Sequence, residues 1–227
     1  MDTYDEQHLF SKANPDPVAV TCSHIRLGSL DKTMHLKTYA KKLNTDINLQ
    51  DLQKLTTKFL HVNHVLATEG TDISGFQVCK IYLSISSVLT FVQVVPCHVL
   101  QVTYDCQEMA AKKTDLIHIT TSWRGSGARY DCAILQGSGP SGMVFCQVCA
   151  IFLISIKGEW YCLAVVRIYK QKQWNKITGH IELITPKARC FDLCFVNSIV
   201  RVAHILPPTS HIPCSVVQDL YDSDMYL

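Results

Sequence analysis

Four cysteines stand in two closely spaced pairs that could supply thiolates to a metal ion. Cys146 and Cys149 form a C-x-x-C, and Cys190 and Cys194 form a C-x-x-x-C. Four thiolates hold zinc in many structural sites. Strand-forming residues surround the first pair, however, and a separation of three on a strand places two side chains on opposite faces. The sequence therefore favours buried core thiols, and a zinc-dependent enzyme is its least favoured interpretation.

The stretch 137–142 satisfies the G-x-G-x-x-G pattern of dinucleotide-binding sites. In such sites the glycine-rich turn opens a helix whose N-terminal N–H groups meet the pyrophosphate. Here the pattern is followed by 143–156, a run rich in Val, Ile and Phe that predicts a strand. The glycines therefore predict a hairpin loop, and we expect no cofactor.

The other groups that could take part in catalysis form no recognisable set. No G-x-S-x-G, H-E-x-x-H or P-loop pattern occurs. A two-metal nuclease needs about three carboxylates that converge on its ions. The candidates are scattered along the chain, at Asp115, Asp131, Glu159, Glu182 and Asp192. We therefore expect no catalytic residue, no metal ligand and no small-molecule substrate.

One predicted loop, the lysine-rich stretch around Trp174, combines positive charge with aromatic residues, as nucleic-acid contacts do. A second, weaker basic group contains Lys112, Lys113, Arg124 and Arg129. Several lysines in one loop are also ordinary surface composition, so a solvated loop is the competing interpretation. The candidate DNA-contact residues are Arg124, Arg129, Lys170, Lys172, Trp174 and Lys176.

The first part of the chain predicts an arm and then helices. Residues 1–28 show no sustained period and predict a flexible arm. Residues 29–65 predict a helical segment, in which a first helix follows Ser29. A second, amphipathic helix is predicted by apolar residues at spacings of three and four. These residues are Leu49, Leu52, Leu55, Phe59 and Leu60.

Residues 76–227 predict a β-rich domain, because short apolar runs alternate with turns. The runs that predict strands are 130–135, 143–156, 160–169, 180–185, 197–206 and 214–217. The polar turn 157–159 predicts an antiparallel hairpin between the two longest runs. The predicted fold class is α+β, with an N-terminal helical pair followed by an antiparallel β-meander or an SH3-like, partly closed barrel.

Composition limits the classes of partner. Hydrophobic residues make up 48% of the 227 residues and charged residues 18%, which is typical of a chain that buries a core. The net charge of +2 provides no global attraction for DNA or anionic lipid, so any DNA contact must be local. The apolar runs 81–95 and 143–156 are shorter than the roughly 20 residues of a membrane span. With an acidic N-terminus and an odd number of cysteines, 11, the chain is expected in the nucleus or cytoplasm and not to be secreted.

Four segments resemble proteins encoded by Plavaka-type transposons of fungi. The string SWRGSGARYDCAILQ at 122–136 is the first, and QVTYDCQEM at 101–109 resembles the stretch that precedes it in these proteins. GEWYCLAVVRIY at 158–169 is similar to their "Gly-x-x-Tyr-x-Leu-Ala-Leu-Val" strand. VQDLYDSDMYL at 217–227 is similar to their "V-V-D-x-x-D-x-D-M-F-L" ending. In order and rough spacing the resemblance covers about residues 30–227.

The resemblance implies the region that follows the transposase core in a nuclear, DNA-handling protein. It carries over no catalytic residue, because the presumed metal-binding carboxylates of the family lie in the upstream core. We therefore expect a non-catalytic accessory domain that contributes contacts to DNA, to an upstream transposase core or to another protein. A protein–protein scaffold domain that binds no nucleic acid is the alternative.

Overall fold

A computed structural model of the chain describes residues 24–43, 47–62, 92–106, 110–125, 127–137, 143–156, 158–175, 180–185, 190–208 and 215–217. Antiparallel strands dominate these ranges, and two helices, α1 and α2, lie among them. The elements in chain order are β1 Ile25–Leu27, β2 Met34–His35, α1 Leu36–Lys42, α2 Leu49–Val62, β3 Gln93–Cys97, β4 Val99–Cys106, β5 Ala111–Thr120, β6 Arg129–Tyr130, β7 Cys132–Gln136, β8 Met143–Ile156, β9 Glu159–Ile168, β10 Lys170–Asn175, β11 His180–Ile184, β12 Asp192–Phe195, β13 Ile199–Ala203, β14 Ile205–Leu206 and β15 Ser215–Val217.

β8 is the central strand of the largest sheet. Along one side it pairs with β9, and along the other it pairs first with β7 and then with β3. β12 extends the sheet beyond β9, β2 extends it beyond β3, and β13 pairs with β7. Nearly every side chain of β8 from Phe145 onward is buried. A continuous apolar run suits this position, because both faces of the strand are covered.

A β-bulge divides β8 into two halves. Val148 pairs with Val166 of β9 and Ala150 pairs with Val165, so Cys149 is an extra residue in β8. A bulge of this kind changes the alternation of side chains by one position. Val148 therefore faces the same core as Ile151, whereas Ala150 faces the opposite one.

Two cores lie on the opposite faces of this sheet, and a third lies near one end. The helices cover one face, where Leu36 and Leu52 join Phe152 in a buried cluster. On the other face the sheet β1-β4-β5-β6 contributes Leu100 and Ile117 to the second cluster. The sheet β10-β11-β15-β14 packs its inner residues against the start of β8, in a cluster that includes Phe145, Ile134 and Leu183.

The amphipathic stripe forms helix α2 as predicted. Asn48 caps it, since the Asn48 Oδ1 atom accepts the backbone N–H of Asp51 at 2.9 Å. Leu52 and Leu60 are buried, and Leu55 and Phe59 pack against the same cluster.

The prediction that the first helix follows Ser29 is wrong, because α1 begins only at Leu36. Residues before it pair with strands instead. The N–H of Gly28 bonds to the carbonyl of Val99, and the N–H of Asp31 bonds to that of Pro96. Backbone groups that are satisfied by a neighbouring strand are unavailable for a helical turn. That the two helices act as a pair stays a prediction.

The hairpin between the two longest apolar runs is confirmed, and each predicted strand in the second half of the chain overlaps an observed one. The run 197–206 begins in a 3-10 turn, Val196–Ser198, and then divides into β13 and β14, and the run 130–135 divides into β6 and β7. β8 and β9 form an antiparallel hairpin, in which Ile156 pairs with Glu159 and Gly158 has a φ of +87°. Gln136 pairs with Met143 across the glycine-rich stretch, so this stretch joins two antiparallel strands and precedes no helix.

The described residues form a β-rich α+β structure, and their sheets are open. None of the three sheets closes on itself within these ranges, so the partly closed barrel finds no support. β1 belongs to the segment predicted as an arm, and it pairs with β4. The division into 1–28, 29–65 and 76–227 otherwise stays a prediction, since residues 1–23 and 63–91 lie outside the described ranges. Within those ranges no helix is long and apolar enough to cross a membrane.

Truncation of Phe152 tests the importance of the doubly covered sheet. Its ring is fully buried and lies 5.5 Å from that of Tyr39. We expect Phe152→Ala to lower the free energy of unfolding by about 3–5 kcal/mol, because it removes buried surface and leaves a cavity. Urea titration measures the change. The control Leu206→Ala, at a position 46% exposed, should cost about 1 kcal/mol or less, and an equal loss in both variants would contradict this account.

Candidate functional site

The loop that joins β5 to β6 is held by its own hydrogen bonds. The Thr120 hydroxyl donates to the carbonyl of Ser122 at 2.9 Å, and the N–H of Trp123 donates to the carbonyl of Gly127 at 2.6 Å. Arg124 has a φ of +49°, in the left-handed region that is uncommon for residues other than glycine. The loop therefore turns sharply and presents Arg124 to solvent.

Three side chains surround the indole of Trp123. The guanidinium carbon of Arg129 lies 4.4 Å from the ring centroid, and that of Arg124 lies 5.3 Å from it. The imidazole of His118 meets the ring edge-on at 4.7 Å. A guanidinium within about 6 Å of an indole is attracted to the negative face of the ring. Trp123 therefore brings two arginines together that are five positions apart in the sequence.

Asp131 fixes one of these arginines. Its carboxylate accepts two hydrogen bonds from Arg129, from Nε at 2.8 Å and from Nη2 at 3.2 Å. The same carboxylate accepts the backbone N–H of His118 at 2.8 Å and lies 3.1 Å from the Nδ1 atom of that ring. A bidentate pair of this kind is geometrically specific and charge-assisted. The charge of Arg129 is therefore compensated, while among the described residues Arg124 has no carboxylate partner.

The other predicted contact residues lie elsewhere. The prediction of a loop here is wrong, because residues 170–175 form strand β10 and pair with β11. Lys170 and Lys172 are exposed on β10, in the sheet that packs near the start of β8. The Lys172 ammonium lies 3.4 Å from the carboxylate of Glu182. The backbone of Trp174 pairs with Ile181, but the side chain of Trp174 and all of Lys176 lie outside the described residues. The structure therefore brings Arg124 and Arg129 together and gives Lys170 and Lys172 a separate sheet.

A cleft of about 320 Å³ opens beside this loop. Its lining combines apolar side chains with a few polar groups, and it includes Thr121, the first residue of the loop, and Tyr130 of β6. Within it the carboxylate of Asp31 lies 3.3 Å from the Nε2 atom of His98. The Nδ1 atom of the same imidazole lies 3.2 Å from the carbonyl of Ile119. Helix α1, β3, β5 and β6 together form the walls.

The thiols near the cleft are kept protonated. Burial raises the pKa of Cys149 to about 11 and that of Cys97 to about 12. Both lie in the lining of the cleft. A thiol must lose its proton to act as a nucleophile or a metal ligand, so neither sulfur is activated near neutral pH.

Cys146 and Cys149 face opposite cores, as predicted from the strand alternation. One metal ion therefore cannot reach both. Burial also raises the pKa of Cys194 to about 12, and Cys190 is exposed. In the part of the chain that the structure describes, no group of three or more His, Cys, Asp or Glu side chains could hold a metal ion.

Each of the scattered carboxylates has a contact of its own. Asp115 accepts the backbone N–H of Val202 at 3.2 Å and so links β5 to β13. Glu159 accepts the hydroxyl of Tyr161 at 2.6 Å, a contact that raises the pKa of that phenol. Asp192 accepts the N–H of its own neighbour in the chain. These acids serve local structure at separate places.

No protein-family model, no curated protein and no solved structure matches the chain.

Sequence reasoning missed the two groups that position Arg129, namely Trp123 and Asp131. A signal was present, because Arg129 and Asp131 are two positions apart in a strand-forming segment and such residues share a face. The contribution of His118 had no comparable signal, since it comes from β5 and depends on the strand register. Asp131 and His118 are 13 positions apart in the sequence, and it is the pairing of β5 with β6 that places them side by side.

Removal of the Asp131 charge tests whether this cluster holds the loop. We expect Asp131→Asn to lower the free energy of unfolding by about 1.5–3 kcal/mol, because hydrogen bonds to a charged group are lost at a site only 16% exposed. Chemical denaturation measures it. The matched variant Asp105→Asn, on the exposed part of β4, should change stability by no more than about 0.5 kcal/mol. Equal stabilities of the two variants would contradict the assigned role.

Thiol labelling tests the burial of the cysteines. In the native protein at pH 8 we expect iodoacetamide to modify Cys190 well before Cys97, Cys149 and Cys194, because their raised pKa values leave almost no thiolate. Peptide mass spectrometry over time gives the order. In denaturant all four should react at similar rates, which is the internal control. Native labelling of Cys149 as fast as that of Cys190 would refute the expectation.

Proposed function

We propose that the chain is a non-catalytic accessory domain of a transposon-derived protein and that it contacts DNA phosphates through the loop between β5 and β6. The resemblance to the region after the core of Plavaka-type transposases supports the first part. That resemblance includes 122–136, which contains the loop, Arg124 and Arg129. The geometry of the loop supports the second part.

The observation that carries the proposal is the position of Arg124. It is exposed, lies over the indole of Trp123, and has no carboxylate partner among the described residues. A guanidinium that is supported on an aromatic ring loses less rotamer freedom when it binds, and its planar fork matches a phosphate. Arg124 is therefore the principal phosphate contact in this proposal. Arg129, which is paired with Asp131, is a secondary contact.

Lys170, Lys172, Trp174 and Lys176 form a second contact region in the proposal. Lys170 is exposed and is the strongest candidate of the four, since the ammonium of Lys172 is shared with Glu182. Because these contacts are made to the backbone, binding should depend little on DNA sequence and weaken with added salt. A DNA-handling accessory domain would work in the nucleus.

The non-catalytic part of the proposal is supported by the state of the reactive groups. The described thiols beside the cleft are protonated near neutral pH, and the scattered carboxylates are engaged in separate local contacts. The thiols therefore offer no activated nucleophile near neutral pH.

A protein–protein scaffold is the second candidate, and the ion pairs favour it. Arg129 is paired with Asp131 and Lys172 with Glu182, so two of the proposed contact residues already have their charges compensated. The net charge of +2 is also small. In this alternative the partner is an upstream transposase core or another protein chain, and DNA binding is absent.

A salt titration with a matched pair of variants decides between the two. We expect the chain to bind a labelled duplex with an affinity that falls as salt rises, and Arg124→Gln to reduce the slope of log K against log[salt] by about 1. The control Lys54→Gln removes an exposed charge on α2, which belongs to neither proposed contact region, and should leave the slope unchanged. Fluorescence anisotropy gives both slopes. Absence of salt-dependent binding would refute the DNA proposal and favour the scaffold.

A further inference from the structure

The cleft and the proposed phosphate-binding loop are parts of one surface. Thr120 is the last residue of β5, Thr121 is the first residue of the loop and Tyr130 lies in β6. All three line the cleft. Arg124 is three residues beyond Thr121, so their Cα atoms are at most about 11 Å apart. Lys42, an exposed residue of α1, lines the same cleft. A positive charge, that of Lys42, therefore lies in the lining of the cleft, and a second, that of Arg124, lies in the adjoining loop.

The interior of the cleft is suited to a small, flat, neutral group. Leu43, Pro96 and Ile119 offer apolar walls, and the ring of Tyr130 offers an aromatic one. The hydroxyl group of Thr121 can donate. The carboxylate of Asp31 can accept. Apolar walls with a few polar groups of both kinds are typical of sites for small organic ligands.

The charge inside the cleft disfavours an anion as the occupant. Asp31 would repel it, and the imidazole of His98 is already directed at Asp31 and at the carbonyl of Ile119. A volume of about 320 Å³ corresponds to about ten water-sized groups. This space suits a nucleobase, which has donors and acceptors on its edge and no charge.

We propose that the cleft receives one unstacked base of single-stranded DNA while Lys42 and Arg124 contact the flanking phosphates. The inference rests on the proposed DNA-binding function and names the form of DNA that this surface selects. A duplex keeps its bases stacked and paired, and extracting one costs free energy, whereas a single strand offers its bases freely. Contacts between bases and aromatic side chains are also tolerant of sequence.

The test compares single-stranded and duplex DNA of the same sequence on two matched variants. Thr121→Leu narrows the cleft with a side chain that cannot stack on a base, and Thr38→Leu makes the same change at an exposed position of α1 that does not line it. We expect the parent chain to prefer the single strand by about tenfold. Thr121→Leu should bring the ratio of single-strand to duplex affinity to about one, whereas Thr38→Leu should keep that ratio near its value in the parent chain.

Photocrosslinking with a single strand that contains 5-bromouracil locates the base independently. We expect the crosslinked peptide to contain Tyr130 or Thr120, and crosslinks only to peptides outside the cleft would overturn the inference. Equal affinity of the parent chain for both forms, or the same behaviour of the two leucine variants, would also overturn it while the DNA-binding proposal stands. If the parent chain binds neither form of DNA, the proposed DNA-binding function itself is refuted.

Discussion

The burial of β8 on both faces is the constraint on which the rest of this structure depends. A strand of this kind needs apolar side chains at almost every position, and it needs cover from two directions. Helices α1 and α2 provide the cover on one side, and the sheet β1-β4-β5-β6 provides it on the other. The bulge at Cys149 adjusts the alternation, so that Val148 and Ile151 face one core although they are an odd number of residues apart.

This two-sided cover also decides where polar chemistry can occur. Most buried side chains are apolar or are thiols whose pKa is raised by burial, and among the described residues Arg201 is the one charged side chain that is buried. The other charged groups therefore lie toward the margins of the layers. One such margin lies where β5 ends. There Asp131 joins Arg129 to β5, Trp123 gathers both arginines, and the cleft opens between this sheet margin and α1. Rigid strands behind a short loop hold such a surface in place.

Much of the strand pattern and part of the candidate site could be predicted from the residues. The extent of β8, its hairpin with β9 and the opposite faces of Cys146 and Cys149 all follow from local alternation and turn chemistry. The predicted start of the first helix was wrong, because the segment before α1 pairs with β3 and β4, which lie far along the chain. Of the basic residues, proximity in sequence suggested Arg124 and Arg129, but their arrangement required Trp123.

The sequence by itself determined the local preferences: an apolar strand with no polar face, an amphipathic second helix with a capping Asn48, and tight turns at glycine. Only the tertiary structure decided that β1 pairs with β4, that His118 and Asp131 meet, and that residues of α1 and β6 line one cleft. The physical reason is the distance along the chain over which each kind of interaction acts. Alternation and capping depend on neighbours within a few residues, whereas pairing partners and registers depend on which buried faces fit together across the whole chain.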